Sequence, residues 1–199
     1  MGKLILITGG ARSGKSTHAE SLAASFEKTP GTGILYAATC TVSDEEMADR
    51  VVRHKARRPS GWQTLEASEN VGARILEAAS IQPPPEAVLL DCITLLVSQC
   101  MVRELKDWDT ISPEDADRVE ASVREEVEGL MAAADQLSCP LIAVTNEAGM
   151  GLVPDYASGR LFRDAAGRAN QLLAAHAEEV ILCVSGIPVR IKPFGGNPA

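Results

Sequence analysis

Short apolar runs alternate along the chain with longer segments in which apolar residues recur every three or four positions. The runs are rich in Val, Ile and Leu and lack regular polar alternation, which is typical of strands buried on both faces of a parallel sheet. They cover Leu4–Thr8, Ile34–Thr39, Ala87–Asp91, Leu141–Thr145 and Val180–Val184. Strands that alternate with helices predict right-handed crossovers and a layered α/β domain.

The segments between these runs carry helix signals. Ser43 to Glu46 forms a capping-box pattern, and cations gather at the far end of the same segment. Ser112-Pro113 opens a second predicted helix, in which apolar residues recur with helical spacing from Ala116 to Leu137. A third helix is predicted from about Ser158 to His176.

The last two apolar runs differ from the others because almost nothing separates them. Val180–Val184 and Pro188–Ile191 are joined only by Ser185, Gly186 and Ile187, which is too short for a crossover. The pattern therefore predicts an antiparallel hairpin at the sheet edge. With 199 residues and no segment typical of a linker, the chain is expected to form one domain over residues 1–199.

Composition and charge exclude several classes of function. Hydrophobic residues make up 45% and charged residues 23% of the chain, as in ordinary globular proteins. The formal net charge of −8 argues against a general nucleic-acid binder. Five scattered cysteines without a C-x-x-C pair indicate neither a disulfide framework nor a zinc site. The first apolar run is too short for a membrane span and lacks a signal cleavage site, so a cytoplasmic protein is expected.

A phosphate loop follows the first predicted strand. Residues 9–16 fit the pattern G-x-x-x-x-G-K-[ST], and a predicted helix over Thr17–Phe26 comes next. Such a loop turns its backbone N–H groups inward toward phosphates at a helix N-terminus. Lys15 would reach the β- and γ-phosphates, and the Ser16 hydroxyl would bind Mg²⁺. The candidate nucleotide-binding residues of the loop are Gly9, Gly10, Ala11, Arg12, Ser13, Gly14, Lys15 and Ser16.

A phosphate loop also needs a carboxylate at the end of a neighbouring strand to hold the magnesium shell. Asp91 ends the run Ala87–Asp91, and ligands bind beyond the carboxyl ends of parallel strands. Asp91 is therefore the second candidate magnesium residue. The alternative interpretation is that Asp91 only caps the following helix.

The densest positive stretch in this acidic chain runs from Arg53 to Arg58. One interpretation is a solvated helix end whose cations offset the helix dipole. The other depends on the phosphate loop: the neutral imidazole of His54 would attack phosphorus, and the surrounding cations would stabilise the developing negative charge. His18, in the predicted loop helix, and His176, in an apolar stretch that favours a core or interface role, suit this chemistry less.

Two later segments carry further polar candidates. Thr145 to Gly151 follow a predicted strand, so their polar groups are expected to face the same cleft as the phosphate loop. Arg160, Arg163 and Arg168 are each either a phosphate clamp or part of a salt-bridged helix face, the commoner case.

Together these segments resemble one family, the bifunctional adenosylcobinamide kinases / adenosylcobinamide-phosphate guanylyltransferases of cobalamin assembly. The matching strings include TGGARSGKS at residues 8–16, TNEAGMGLVP at 145–154 and FRDAAGRANQ at 162–171. The resemblance is collinear from about Lys3 to Lys192. It implies an α/β P-loop (RecA-like) three-layer domain with a mostly parallel sheet and a C-terminal antiparallel hairpin, assembled as a homotrimer.

The resemblance also implies two reactions with nucleoside triphosphates, ATP or GTP, and Mg²⁺. The first phosphorylates adenosylcobinamide. The second transfers GMP from GTP to adenosylcobinamide phosphate through a guanylylated histidine, which His54 matches, and releases pyrophosphate. Beyond the phosphate loop, the family's nucleotide contacts match Ala38, Thr39, Cys40, Lys55, Ala56, Arg57, Arg58, Glu66 and Asp91. Cys40 stands where the family commonly has serine or another small residue, and Arg53 where a second histidine can stand.

Two other functions remain open at this point. One is a kinase of another small molecule that lacks guanylyl transfer. The other is a nucleotide-regulated binding or switch protein, although the chain has no N-K-x-D string of the kind with which switch GTPases recognise guanine.

Overall fold

The structure, a computed structural model, describes residues 2–39 and 58–192. In chain order the elements are β1 (Leu4–Gly9), α1 (Lys15–Ala24), β2 (Ile34–Ala38), β3 (Gln63–Glu66), α2 (Val71–Ala79), β4 (Ala87–Asp91), α3 (Ile93–Glu104), α4 (Pro113–Gln136), β5 (Leu141–Val144), a 3-10 turn (Ala148–Met150), α5 (Ala157–His176), β6 (Glu179–Val184) and β7 (Ile187–Lys192). The predicted alternation of strands and helices is confirmed.

The strands form one sheet in the order β3-β2-β4-β5-β1-β6-β7. All neighbouring pairs are parallel except β6 and β7, which form the predicted antiparallel hairpin at the sheet edge. The fold is therefore the expected α/β arrangement with a mostly parallel sheet. This strand order brings the carboxyl ends of β1, β2, β4 and β5 to one edge of the sheet.

The core has two parts because successive strand residues point to opposite faces. In β1, Leu4 and Leu6 join the larger cluster, which packs against α2 to α5, whereas Ile5 and Ile7 join the smaller cluster, which includes Ala19 of α1. Helices on both faces make three layers. Burial on both faces explains why the central strands lack polar alternation in the sequence.

Strand β3 and helices α2 and α3 are not among the predicted elements. The residues of β3 are exposed apart from the partly buried Leu65, so this edge strand leaves no apolar run in the sequence. The helix predicted after Ser43 lies outside the described residues. The other three predicted helices are confirmed as α1, α4 and α5.

Helix α4 begins where its sequence predicts. The Ser112 hydroxyl accepts a hydrogen bond from the Asp115 amide at 3.1 Å, and the Asp115 carboxylate accepts one from the Ser112 amide at 3.0 Å. This reciprocal pair satisfies two N–H groups that the helix leaves free. At the end of α5, His176 is exposed and contacts Asp135 at 3.1 Å, so of its two suggested roles the core position is wrong and the interface role stays a prediction.

A buried carboxylate of α4 fixes the start of α2. Glu126 accepts hydrogen bonds from the backbone amides of Asn70 at 2.8 Å and Val71 at 3.1 Å, and it pairs with Arg103 at 3.3 Å. We expect Glu126→Ala to lower the free energy of unfolding by about 2 kcal/mol, because both amides and the guanidinium lose their partner. Urea denaturation would measure this change in the free energy of unfolding. Glu125→Ala, at the exposed neighbouring position, is the matched control, and equal effects of the two substitutions would contradict the assignment.

Candidate active site

Sheet register brings together candidate residues that are far apart in the sequence. Ala38 lies opposite Glu66 on β3 and opposite Asp91 on β4, and Asp91 lies opposite Val144 on β5. Val144 in turn lies opposite Ile7, two residues before Gly9 at the start of the phosphate loop. The loop, Ala38, Glu66 and Asp91 therefore share the carboxyl edge of the sheet, where parallel α/β sheets bind ligands.

The phosphate loop is held in shape by glycine and by the hairpin turn. Gly14 has a φ of 91° at the N-terminus of α1, and a Cβ at this position would lie 3.0 Å from the Cα of Gly186. The Gly186 amide donates a hydrogen bond to the Ser13 carbonyl at 2.9 Å. The β6–β7 turn thus braces the loop, a contact that leaves no signal in the loop motif itself.

Lys15 is folded over the loop that precedes it. Its side chain is largely buried, with a residue exposure of 9%, and its Nζ donates to the Gly10 carbonyl at 3.0 Å. An ammonium group in this position lies at the helix N-terminus where the loop amides gather, so positive charge and amide dipoles converge on one small region. The contact of Lys15 with the β- and γ-phosphates stays a prediction of the motif.

Asp91 is fixed by a tyrosine that sequence reasoning did not single out as a site residue. The Tyr36 hydroxyl donates a hydrogen bond to Asp91 Oδ2 at 2.9 Å, and the guanidinium carbon of Arg58 lies 3.5 Å from the centroid of the Tyr36 ring. Burial, followed by the nearby Asp91 charge, raises the pKa of Tyr36, so the phenol stays protonated as a donor. The alternative interpretation, in which Asp91 caps the following helix, is wrong, because the N-cap residue of α3 is Cys92.

A chain of hydrogen bonds links the ends of β2, β4 and β5. The Thr39 hydroxyl accepts from the Cys92 amide at 3.0 Å and donates to its carbonyl at 2.7 Å. The Cys92 Sγ lies 3.1 Å from Thr94 Oγ1, which accepts from Asn146 Nδ2 at 2.8 Å. These contacts confirm that polar groups after β5 face the same edge as those after β4.

The chain of hydrogen bonds continues through Glu147 to the start of the phosphate loop. Its carboxylate accepts hydrogen bonds from Thr8 Oγ1 at 2.7 Å and from Asn170 Nδ2 at 3.3 Å, and its amide donates to the Gly9 carbonyl at 3.1 Å. The Thr145 hydroxyl donates to Asn170 Oδ1 at 2.6 Å. Residues from the strings at 145–154 and 162–171 therefore contact each other and support the phosphate loop.

Cys92 is an unsuitable nucleophile despite its position at this edge. Desolvation by burial raises the pKa of the Cys92 thiol to about 11, with the Asp91 charge as the second cause. The thiol is therefore neutral near pH 7, where the thiolate is the reactive form.

Several candidates from the sequence lie outside the described residues: Cys40, His54, Lys55, Ala56 and Arg57. Of the candidates on the described part of the chain, Arg58 reaches Tyr36, Glu66 is exposed at the end of β3, and Thr39 is fully buried. Glu66 lies beside Ala38 because the two residues are register partners on β3 and β2.

The arginines of α5 contact α5, α4 and the segment just before α5. Arg160 donates to the Pro154 carbonyl at 3.0 Å and to the Asp155 carbonyl at 2.7 Å. Arg163 pairs with Asp164, and Arg168 pairs with Glu120 of α4. The interpretation as a salt-bridged helix face is confirmed for Arg163 and Arg168, whereas Arg160 binds backbone carbonyls.

Two features are absent from residues 2–39 and 58–192. No cluster of three or more His, Cys, Asp and Glu side chains suits a metal ion there. None of the helices in that part of the chain is long and apolar enough to cross a membrane.

Comparison with known proteins identifies clear relatives. A sequence model of the family described as cobinamide kinase / cobinamide phosphate guanyltransferase matches residues 5–191. The chain is 43% identical to the bifunctional adenosylcobalamin biosynthesis protein CobU of Escherichia coli and 41% identical to that of Salmonella typhimurium, each over 95% of this chain and 99% of the relative. It is 35% identical to the protein CobP of Pseudomonas aeruginosa, over 94% of this chain and 96% of the relative.

Proposed function

The chain belongs to the cobinamide kinase / cobinamide phosphate guanyltransferase family, and from this premise we propose that one domain, residues 1–199, performs both reactions at the carboxyl edge of its sheet. The first reaction phosphorylates adenosylcobinamide with ATP or GTP. The second joins GMP from GTP to adenosylcobinamide phosphate and releases pyrophosphate. The observation that carries the proposal is the register that gathers the phosphate loop, Ala38, Glu66 and Asp91.

In the kinase step, the chain positions the triphosphate and neutralises its charge. The amides of residues 9–16 bind the phosphates, and Lys15 stabilises negative charge as the γ-phosphoryl group moves to the hydroxyl of adenosylcobinamide. The bond from the γ-phosphorus to the β–γ bridging oxygen breaks, and the nucleoside diphosphate leaves. Positioning supplies much of the catalysis in such a transfer.

The donor set of this edge fits Mg²⁺. The candidate ligands are the Ser16 hydroxyl, on a helix that packs against β4, and the Asp91 carboxylate, one oxygen of which is occupied by Tyr36. Mg²⁺ prefers oxygen ligands and is commonly held by one or two protein groups together with phosphates. When bound, the ion neutralises charge on the β- and γ-phosphates.

In the guanylyl step, a neutral nitrogen of His54 attacks the α-phosphorus of GTP, and pyrophosphate leaves. An oxygen of adenosylcobinamide phosphate then attacks the same phosphorus, and the bond to His54 breaks. Two displacements through a covalent intermediate replace one difficult step. Arg58 supports this assignment because the end of the basic segment lies over Tyr36, beside Asp91.

The proposed nucleotide contacts are those of the family that match this sequence. They comprise Gly9, Gly10, Ala11, Arg12, Ser13, Gly14, Lys15, Ser16, Ala38, Thr39, Cys40, Lys55, Ala56, Arg57, Arg58, Glu66 and Asp91. We further propose a cytoplasmic homotrimer. The exposure of Ile187, Val189 and Ile191 on the edge strand β7 supports an interface between copies.

Asp91→Ala is expected to lower magnesium-dependent turnover of nucleotide at least a hundredfold, because a ligand of the metal shell is lost. Steady-state rates of adenosylcobinamide phosphorylation over a range of Mg²⁺ concentrations would measure the effect. Asp117→Ala removes a carboxylate from the exposed face of α4 and serves as the control. An Asp91→Ala enzyme that keeps its rate at low Mg²⁺ would exclude the metal role.

Intact-protein mass spectrometry tests the whole proposal. Addition of GTP should give one covalent GMP adduct, and adenosylcobinamide phosphate should discharge it. A kinase of another small molecule would give turnover on a different acceptor and no adduct. A switch protein would hydrolyse nucleotide slowly, with no dependence on an acceptor.

A further inference from the structure

Tyr36 contacts two groups that the proposed function uses for different purposes. Its hydroxyl donates to Asp91 Oδ2 at 2.9 Å, and its ring lies under the Arg58 guanidinium at 3.5 Å. Asp91 belongs to the proposed kinase centre, and Arg58 ends the basic segment assigned to guanylyl transfer. A single side chain thus connects the two sets of residues.

The position of Tyr36 makes this connection rigid. Its exposure is 4%, it lies on β2 opposite Leu89 of β4, and it belongs to the cluster that packs between the sheet and α1. A buried ring in a close-packed core has few alternative rotamers, so its hydroxyl is held at one point. The hydroxyl is thereby held within hydrogen-bond distance of the Asp91 carboxylate, at 2.9 Å.

The two contacts have different physical consequences. The hydrogen bond fixes one carboxylate oxygen of Asp91 and so limits the rotation of the whole carboxylate group. Outer groups of this kind commonly set the orientation of metal-binding carboxylates. The ring attracts the Arg58 guanidinium through its π face and limits where that cation can lie. One contact needs the hydroxyl, and the other needs only the ring.

We propose that Tyr36 is a positioning residue that couples the Asp91 carboxylate of the kinase centre to the Arg58 cation of the guanylyl-transfer segment. The proposal rests on the proposed functions of Asp91 and Arg58. The hydroxyl of Tyr36 sets the magnesium dependence of nucleotide binding, whereas its ring sets nucleotide affinity through Arg58.

Two substitutions separate these roles. Tyr36→Phe keeps the ring and removes the hydrogen bond, and Tyr36→Leu removes both contacts. The readout is the Kd of a non-hydrolysable GTP analogue, measured by calorimetry in excess EDTA and in Mg²⁺. Tyr156→Phe is the matched control, because Tyr156 is the other tyrosine of the chain and is 65% exposed.

For Tyr36→Phe, we expect the Kd in EDTA to stay within twofold of the wild-type value. The gain in affinity on adding Mg²⁺ should fall about tenfold, because a hydrogen bond to a charged group is lost. For Tyr36→Leu, the Kd in EDTA should rise as well, by about fivefold. Tyr156→Phe should change neither quantity. A general folding defect in Tyr36→Phe would weaken binding in EDTA too, and the urea midpoint would report it independently.

A double-mutant cycle with Asp91→Asn distinguishes the possible failures. If Tyr36 acts through Asp91, the phenylalanine substitution should add no further loss of the magnesium gain in the Asp91→Asn background. If Asp91→Asn leaves that gain intact, the proposed role of Asp91 itself is wrong. If Asp91→Asn removes the gain but Tyr36→Phe preserves it, the coupling through Tyr36 is wrong and the proposed function stands.

Discussion

His54→Ala is expected to abolish the covalent GMP adduct and to lower the rate of guanylyl transfer at least a thousandfold, because the two-step route through the imidazole is lost. Incubation with α-labelled GTP should label the wild-type protein with an acid-labile, base-stable bond and leave the variant unlabelled. Phosphorylation of adenosylcobinamide should continue in the variant, because Lys15 and Asp91 carry that step in the proposal.

His176→Ala is the matched control for this experiment. His176 lies at the exposed end of α5, where it contacts Asp135, and the substitution should leave labelling unchanged. The cysteines of the described part of the chain are poor alternative acceptors, since Cys92, Cys100, Cys139 and Cys183 are buried and burial raises the pKa of each thiol. A His54→Ala protein that still carries acid-labile label would overturn the assignment of the nucleophile.

The sequence predicts the central strands and the phosphate loop because both follow from local patterns. Leu4, Leu6, Ile5 and Ile7 must all be apolar, since β1 is buried on both faces, and such a run is visible without any tertiary information. The loop motif likewise combines glycines, lysine and serine at fixed spacing. Asp91 could be named as a candidate because it ends a run of this kind, although its strand β4 is separated from β1, the strand that leads into the loop, by β5 and is not the neighbouring strand that the sequence analysis expects.

The supporting contacts could not be predicted in the same way, because each depends on strand order and register. Tyr36 has the appearance of an ordinary apolar strand residue, and its hydrogen bond to Asp91 arises only because β2 lies beside β4. The amide of Gly186 meets Ser13 because β6 lies beside β1. Strand β3 is not predicted for a different reason, because its exposed residues form no apolar pattern.

Lys15→Ala is expected to lower the rate of adenosylcobinamide phosphorylation about a thousandfold. The substitution removes a positive charge that is held at the loop, where Nζ lies 3.0 Å from the Gly10 carbonyl, and negative charge develops on the transferred phosphoryl group at this position. The loss should appear mainly in kcat, with a smaller change in the affinity for the triphosphate, because the loop amides still bind the phosphates in the ground state.

The burial of Lys15 makes this experiment interpretable. Holding an ammonium group at 9% exposure has a desolvation cost, so its removal is not expected to unfold the protein, and the urea midpoint should stay close to that of the wild type. Lys28→Ala is the control, since that side chain is 87% exposed and lies after α1, away from the loop. Equal phosphorylation rates for Lys15→Ala and Lys28→Ala would exclude Lys15 from the kinase step, whereas a loss confined to Lys15→Ala at unchanged stability would assign the charge to catalysis.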